Sequence, residues 1–321
     1  MRIRATSRPS RTAVAATAVA ATAVAALLGG ACATAPLAGA APSGKPRTVV
    51  AVAAENGYAD VISQIGGRYV TVTAIMSNPN TDPHTFESSA RVSREVGAAR
   101  LVVQNGLGYD SFMTRIEQAS PSSSRKVIDV QRLLGLPDST PNPHLWYKPT
   151  TMPAVAKAVA KVLTHFQPAH AAYFQRDLQV FDASLAPYDR ELARIKSAFP
   201  HAMVATTEPV ADYMLQAAGV DDMTPWALQA DIMNTVDPPP QGVSLQDDLL
   251  TGRKVGALVY NEQVTSSVTE AFLKLAQASR IPVVGVYETM PTPGYHFQTW
   301  MLAEADALYD ALAHRTSSPK L

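Results

Sequence analysis

Two kinds of apolar pattern alternate along the chain from residue 47 onward. Short runs of β-branched and small apolar residues predict buried strands, whereas apolar residues recurring every three or four positions predict amphipathic helices. A regular alternation of strand and helix indicates parallel sheets with helices on both faces, so we expect an α/β fold. The predicted strands span residues 47–54, 70–75, 101–106, 126–130, 202–207, 255–260 and 282–287. The predicted helices span residues 58–65, 89–99, 110–119, 211–218, 245–250, 266–279 and 296–314.

The longest helical pattern lies in the middle of the chain. Apolar residues from Phe174 to Phe199 recur at alternating spacings of four and three, which predicts one long helix with a kink at Pro187. Such a helix would join two α/β lobes and limit how far they can hinge. We therefore divide the chain into a first lobe at 42–165, a linking helix at 166–199 and a second lobe at 200–321.

Residues 1–41 have the features of an export signal and a tether. A segment with four arginines precedes a run of Ala, Val, Thr and Leu from Ala13 to Leu28, which is too short to span a membrane comfortably. Cys32 follows closely, which favours a lipid-anchored lipoprotein, although Gly29 stands where that signal has a branched apolar residue. The alternative to lipid attachment is cleavage of the export signal after Ala40 by the ordinary secretory route. Either route predicts a protein that works outside the cytoplasm, anchored to the cell membrane or secreted.

Charge and cysteine content exclude several classes of protein. The 321 residues contain 27 basic and 27 acidic side chains, and the chain after residue 41 has 23 basic against 27 acidic. A mildly acidic chain lacks the positive charge typical of nucleic-acid-binding proteins. With Cys32 as its one cysteine, the chain cannot form an internal disulfide, and thiolate ligation of a metal within the folded part is excluded. The length suits two domains of ordinary size, and we expect a monomer.

Side chains that can bind metals follow four of the predicted strands. In open parallel sheets, ligands bind beyond the carboxyl ends of the strands. His84 and His144 follow strands of the first half, and Glu208 and Glu288 follow strands of the second half, so closure of the lobes would bring them together. Two imidazoles and two carboxylates suit a borderline first-row ion such as Zn²⁺ or Mn²⁺. Cu²⁺ would accept the same ligands, whereas Mg²⁺ and Ca²⁺ prefer all-oxygen shells.

The remaining histidines have less favourable positions for a metal site. His165 and His170 are five residues apart, which does not place both on one face of a helix, and His201 precedes a strand. His296 and His314 belong to the terminal helix. Of these, His296 lies near enough to Glu288 in sequence to support the site from outside.

Four sequence motifs together resemble those of the metal-receptor class of ABC importer solute-binding proteins, the zinc/manganese group called cluster A-I. Residues 82–87 match its D-P-H-x-[YF]-E signature, and residues 142–146 match its P-H-x-W signature, with Asn142 where Asp is common. Residues 105–110 resemble its N-G-x-G-x-[ED] run, and Asn261-Glu262-Gln263 its E-x-Q-type element. The resemblance covers roughly residues 47–315.

The resemblance implies a fold, a ligand set and partners. The fold would be two (β/α)4-type lobes with parallel sheets joined by one long rigid helix at 168–199, and the ligands of a transported Zn²⁺ or Mn²⁺ would be His84, His144, Glu208 and Glu288. The family usually has Asp at the fourth position. The His-rich loop that some zinc-specific members carry between the two histidine motifs is absent here, so Zn²⁺ and Mn²⁺ both remain open. The partners would be an ABC permease and its ATPase.

Two other functions remain open from the sequence. A secreted metallohydrolase could use the same residues with one carboxylate as a general base, although the chain contains no H-E-x-x-H motif. A receptor of the same type for a siderophore, cobalamin or another organic ligand would be expected to line its cleft with aromatic residues and Arg. The quartet of His and Glu favours capture of the ion itself, without catalysis.

Overall fold

A parallel sheet forms the centre of the first lobe. The computed structural model describes residues 48–80, 82–291 and 293–321, so the predicted export signal, Cys32 and the tether up to residue 46 lie outside the described residues. The four strands of this sheet have the order β2-β1-β3-β4, all parallel. Its elements are β1 (Val49–Glu55), α1 (Asn56–Gly66), β2 (Val70–Met76), α2 (Ala90–Ala98), β3 (Leu101–Gln104), α3 (Ser111–Ala119), β4 (Lys126–Asp129), α4 (Val130–Leu133) and α5 (Thr151–Phe166).

Two consecutive helices connect the lobes, α6 (Ala171–Ser184) and α7 (Ala186–Ala198). The sequence predicts one helix with a kink at Pro187, and the structure has a break of one residue at Leu185. Proline has no N–H for a helical hydrogen bond, and its ring collides with the carbonyl four residues earlier, which explains the interruption. The joining segment is therefore long, as expected, but it consists of two helices and begins at residue 171.

The second lobe repeats the strand order of the first. Its parallel strands follow the order β6-β5-β7-β8, so both described sheets begin at an inner strand, add the edge strand and then cross over to the other side. This repetition confirms the predicted α/β class with two parallel sheets. The elements are β5 (Met203–Thr206), α8 (Asp212–Ala217), β6 (Asp221–Asp222), α9 (Trp226–Met233), α10 (Pro240–Thr251), β7 (Ala257–Asn261), α11 (Ser267–Ala278), β8 (Val283–Val286) and α12 (Phe297–His314).

The last helix, α12, returns to the first lobe. It packs on α7 and β8 and also touches α1. The carboxylate of Asp60 on α1 accepts a hydrogen bond from Phe297 N (2.8 Å) and lies 2.8 Å from the ring Nδ1 of His296, so an acidic group of one lobe caps the helix of the other. One apolar cluster extends through both lobes. The exact lobe boundaries set from the sequence stay a prediction.

Each helix among the described residues is too short or too polar to cross a bilayer.

We expect the linking helices to contribute strongly to stability through their buried face. Phe181 is 1% exposed and its neighbour Val180 is 62% exposed on the same helix. Phe181→Ala should therefore lower the free energy of unfolding by about 3–5 kcal/mol through a cavity. Val180→Ala, the matched control, should change it by less than about 0.5 kcal/mol. Urea unfolding of both variants measures these free energies, and an equal loss in the two variants would contradict the burial of Phe181.

Candidate functional site

His84 lies in the loop after β2. Residues Pro83–Thr85 form a short 3-10 turn, and the side chain of Asp82 accepts a hydrogen bond from His84 N (2.8 Å). Proline suits the first turn position because its missing N–H would have no partner there. The turn directs the imidazole towards the second lobe, and its side chain remains 17% exposed. His84 is therefore the histidine of the site that solvent reaches.

His144 is fully buried and is oriented by Asn142. Asn142 Oδ1 accepts a hydrogen bond from His144 N (2.9 Å) and lies 2.8 Å from Nδ1 of the ring. Because an amide oxygen only accepts, Nδ1 carries the proton and the lone pair of the neutral ring is at Nε2. The amide of Asn142 also donates to Pro209 O (2.7 Å), a contact with the second lobe.

The carboxylate of Glu288, beyond the end of β8, is the point at which the lobes meet. Its side chain has no solvent exposure. Glu288 Oε2 lies 3.1 Å from His84 Nε2 and 3.2 Å from His144 Nε2. The hydroxyl of Tyr109 donates a hydrogen bond to the same oxygen (2.8 Å). Ligand atoms of His84, His144 and Glu288 all lie within 4.8 Å of one another, and no other such group of three occurs among the described residues.

Glu208 joins this cluster through Asn261. The side-chain Nδ2 of Asn261 donates to Glu208 Oε2 (3.2 Å) and to Glu288 Oε1 (2.8 Å). Glu208 is 2% exposed, and its Oε1 has no hydrogen-bond partner among the described residues. The structure thus brings three of the four predicted residues into direct proximity and connects the fourth through an amide.

The loop that carries Tyr109 depends on its glycines. Gly106 and Gly108 have φ of 85° and 80°, in the left-handed region that favours glycine. A Cβ at Gly106 would come within 2.8 Å of Gln131 Cβ. The carboxylate of Asp110 accepts hydrogen bonds from the backbone N–H groups of Asn105 and Gly106, at 2.6 and 3.0 Å. This network holds Tyr109 between the cluster and solvent.

The segment around Glu288 is fixed from both lobes. Gln263 Oε1 accepts hydrogen bonds from Glu288 N and Thr289 N, each 2.7 Å long. In the first lobe, Asn56 pairs with the backbone of Met290 through both amide atoms, at 2.8 and 2.9 Å. Since backbone and side chain are both restrained, the carboxylate has a defined position before any ion arrives.

Burial and proximity give the two carboxyl groups opposite pKa shifts. Burial alone would raise the pKa of Glu288, but its close contacts with His144 and His84 lower it below its usual value. For Glu208, burial and the nearby charge of Glu288 raise the pKa well above its usual value. The site therefore favours the charged form of Glu288 and the protonated form of Glu208.

The two imidazoles also differ. Burial lowers the pKa of His144 below its usual value, because desolvation of the fully buried ring outweighs the attraction of Glu288. Burial would likewise lower the pKa of His84, but the contact with Glu288 and the charge of Asp82 raise it overall. Of the two rings, His84 therefore takes up a proton at the higher pH.

A cavity of about 570 Å³ adjoins the cluster at its exposed end. His84 and Tyr109 line it from the first lobe, and Trp226 and Asn234 from the second. We call it the mouth cavity. Because His84 is both a member of the cluster and a wall of this cavity, the cavity provides a route from solvent to the cluster.

The other described histidines do not join the cluster. His170 stacks on Tyr69 with ring centroids 3.9 Å apart, and His201 pairs with Asp221 on the surface. The expectation that His296 supports the site is wrong. His296 lies at the start of α12, and its ring contacts Asp60 of α1 instead. Sequence reasoning also missed the roles of Tyr109, which lies in the loop after β3, and of Asn261, which is the last residue of β7.

The chain is similar to several proteins whose names describe the binding or uptake of metals. Residues 51–311 match the family model of ZnuA, zinc-uptake complex component A, periplasmic. The iron-binding protein YfeA of Yersinia pestis is 22% identical over 64% of this chain and 67% of its own length. The manganese ABC transporter substrate-binding lipoprotein PsaA of Streptococcus anginosus is 24% identical over 76% of this chain and 80% of its own length.

Solved structures show the same fold. The periplasmic zinc-binding protein TroA of Treponema pallidum superposes with a TM-score of 0.70 at 19% identity, covering 84% of this chain and 99% of that chain. A family model that matches most of the described residues, together with this fold, decides the classification. The chain belongs to the ZnuA family of periplasmic zinc-uptake components.

Proposed function

We propose that this protein captures one Zn²⁺ or Mn²⁺ ion outside the cytoplasm and delivers it to the permease of an ABC importer, which an ATPase drives. The observation that carries the proposal is the convergence of His84 and His144 from one lobe on a single oxygen of Glu288 from the other. In the proposed complex the ion replaces these direct contacts, and the ligands are His84, His144, Glu208 and Glu288.

The charges of this ligand set fit a divalent ion. Two neutral imidazoles and two carboxylates together carry two negative charges, which compensate the ion and make its burial tolerable. Since the pKa of Glu208 is raised, binding of the ion expels a proton from this carboxyl group. The ion then supplies the positive charge that keeps two buried carboxylates ionised side by side.

The position of the ligands couples capture to lobe closure. Each lobe contributes two of the four groups, so neither lobe alone completes the shell. An ion that enters through the mouth cavity meets His84 first, because this ring is the exposed member of the cluster. Separation of the lobes would dismantle the shell, which gives the permease a means of releasing the ion.

Four protein ligands favour transport over catalysis. Catalytic zinc sites usually keep one position for water or substrate, whereas closed sites use four protein ligands. A hydrolase that used the same residues would need one carboxylate free as a general base. In our proposal both carboxylates bind the ion, and the protein is not an enzyme. We further propose that the protein is a monomer attached to the membrane through Cys32.

The named relatives support a transition metal without choosing one. They are described as iron-binding and manganese-transporting proteins, and the superposed structure as zinc-binding. Nitrogen and oxygen ligands bind several first-row ions in the Irving–Williams order, so the choice of cargo also depends on geometry and supply.

Substitution of the histidines tests the site. Calorimetry should show that the wild-type protein binds one equivalent of Zn²⁺, without hydrolytic turnover. His84→Ala and His144→Ala should each weaken binding by about tenfold or more, since loss even of a residue that only supports a metal ligand costs that much. His201→Ala, at an exposed ring that is 84% accessible, is the control and should bind as the wild type does. Unchanged affinity in both site variants would remove the site from this location.

Metal affinity should fall steeply as the pH decreases from about 7 to about 5. A histidine ligand must be neutral, its ordinary pKa is about 6.5, and a proton therefore competes with the ion as the pH falls. The pKa of His84 is raised, so the competition begins at the upper end of this range. Titrations with Zn²⁺ at several pH values measure the slope, and a flat profile would show that the imidazoles are not ligands.

Variants of Glu288 should separate the effects of its charge and its length. Glu288→Gln keeps the shape but removes a negative charge, so the buried ion is undercompensated. Glu288→Asp withdraws the carboxylate by about 1.5 Å, whereas metal bonds tolerate about 0.2 Å. We expect affinity to decrease from wild type to Asp and then to Gln. Equal binding by Gln and wild type would exclude Glu288 as a ligand.

A further inference from the structure

Resting on the proposed function, we propose that Asn261 is a positioning residue that restricts Glu208 and Glu288 to one metal-binding oxygen each. The site is thereby four-coordinate and selects Zn²⁺ over Mn²⁺. Two hydrogen bonds that the side chain of Asn261 donates determine this coordination geometry.

The side-chain nitrogen of Asn261 has two hydrogens, and each has a carboxylate partner. One is donated to Glu208 Oε2 at 3.2 Å and the other to Glu288 Oε1 at 2.8 Å. A primary amide has no third hydrogen to donate. One oxygen of each carboxylate is thus held on the side of Asn261.

The remaining oxygens are the ones available to an ion. Glu288 Oε2 is the atom on which His84 Nε2 and His144 Nε2 converge. Glu208 Oε1 is buried and has no hydrogen-bond partner among the described residues. These two oxygens and the two ring nitrogens make four donor atoms. To bind through two oxygens, either carboxylate would have to rotate its second oxygen towards the ion and away from Asn261, which weakens that hydrogen bond.

Asn261 cannot turn away easily, because its surroundings fix both its backbone and its amide. It ends β7 and is 1% exposed. Its N–H donates to Thr207 Oγ1 (3.0 Å), and its Oδ1 accepts from Gln263 N (3.0 Å). A flipped amide would place its oxygen against two carboxylates and its NH₂ group against an N–H donor. The observed orientation is therefore strongly favoured.

Coordination number separates the two candidate ions. Zn²⁺ in closed protein sites is tetrahedral with nitrogen, sulfur or oxygen ligands, whereas Mn²⁺ prefers six ligands rich in oxygen. Bidentate binding by both carboxylates would give six donors, and the two hydrogen bonds from Asn261 oppose it. Residues that orient metal ligands commonly change affinity by about 10–100-fold. Asn261 thus favours Zn²⁺ by limiting the number of oxygens, without touching the ion.

The absorption spectrum of bound Co²⁺ tests this inference, because four-coordinate Co²⁺ absorbs visible light much more strongly than six-coordinate Co²⁺. We expect an intense spectrum for the wild-type protein. Asn261→Leu keeps the size of the side chain and removes both donors, so its spectrum should weaken. Gln246→Leu, the matched control, removes a buried amide of the same lobe that touches neither carboxylate, and should leave the spectrum unchanged.

A second measurement gives the selectivity. The ratio of Zn²⁺ to Mn²⁺ affinity should fall by about 10–100-fold in Asn261→Leu and stay constant in Gln246→Leu. Should Asn261→Leu fail to fold, X-ray absorption of the Zn²⁺-loaded wild-type protein still gives the number of atoms bound to the ion. A shell of four nitrogen and oxygen atoms supports the inference, and five or six would overturn it.

The outcomes distinguish this inference from the proposed function. A wild-type protein that binds one Co²⁺ with the weak spectrum of six-coordination would overturn the inference and leave the function intact. The inference would also be overturned, with the function intact, if Asn261→Leu kept the spectrum and the metal ratio of the wild type. It would likewise be overturned if Gln246→Leu changed both as much as Asn261→Leu does. A wild-type protein that binds none of the three ions would instead contradict the proposed function.

Discussion

The carboxylate of Glu288 has no access to water, and a negative charge in that position is stable only with partners around it. His84, His144 and Tyr109 reach it from the first lobe, and Asn261 from the second. In the absence of an ion, these four groups surround the carboxylate, and those with an N–H or O–H directed at it donate the hydrogen bonds that solvent would otherwise supply. The protein therefore stabilises in advance the charge that a divalent cation needs, and an entering cation exchanges contacts that already exist.

The same contacts connect the lobes. Hydrogen bonds to charged groups contribute about 1.5–3 kcal/mol each. The hydrogen bond from Tyr109 to Glu288 and the contact of His144 with Glu288 cross from one lobe to the other, as does the pairing of Asn56 with Met290. Opening the cleft replaces the first two by water, which hydrates a carboxylate well. The energetic cost of opening is thus smaller than the number of contacts suggests, provided that water enters as the lobes part.

The sequence predicted the fold well because its main signals are local. Apolar runs and helical periodicity placed seven of the strands, and repetition of the same order in both halves indicated two parallel sheets. The two-residue strand β6 escaped notice because so short an element has no periodicity. The predicted helix at 245–250 begins at residue 240 in the structure, where Pro239 and Pro240 masked a helix start in the pattern.

The candidate site was partly predictable for a related reason. Carboxyl ends of parallel strands meet at one edge of a sheet, so counting strands identified His84, His144, Glu208 and Glu288 without knowledge of distances. Their status as ligands stays a prediction. Strand counting does not identify Tyr109 or Asn261 as members of the site, because a phenol or an amide is not a typical metal ligand. Both act here through the carboxylates to which they donate hydrogen bonds. Strand counting also cannot show that Glu208 is connected to Glu288 through the side-chain amide of Asn261, because this contact depends on side-chain rotamers.

The cap that Asp60 provides for α12 has a consequence for how such proteins can be rebuilt. The helix belongs in sequence to the second half of the chain, but the carboxylate that accepts a hydrogen bond from its first N–H group, that of Phe297, belongs to the first half. Recombining the first half of one relative with the second half of another would separate the helix from its cap unless an acid is retained at position 60. The halves are interdependent modules, and a functional chimera has to exchange Asp60 and the start of α12 as a unit.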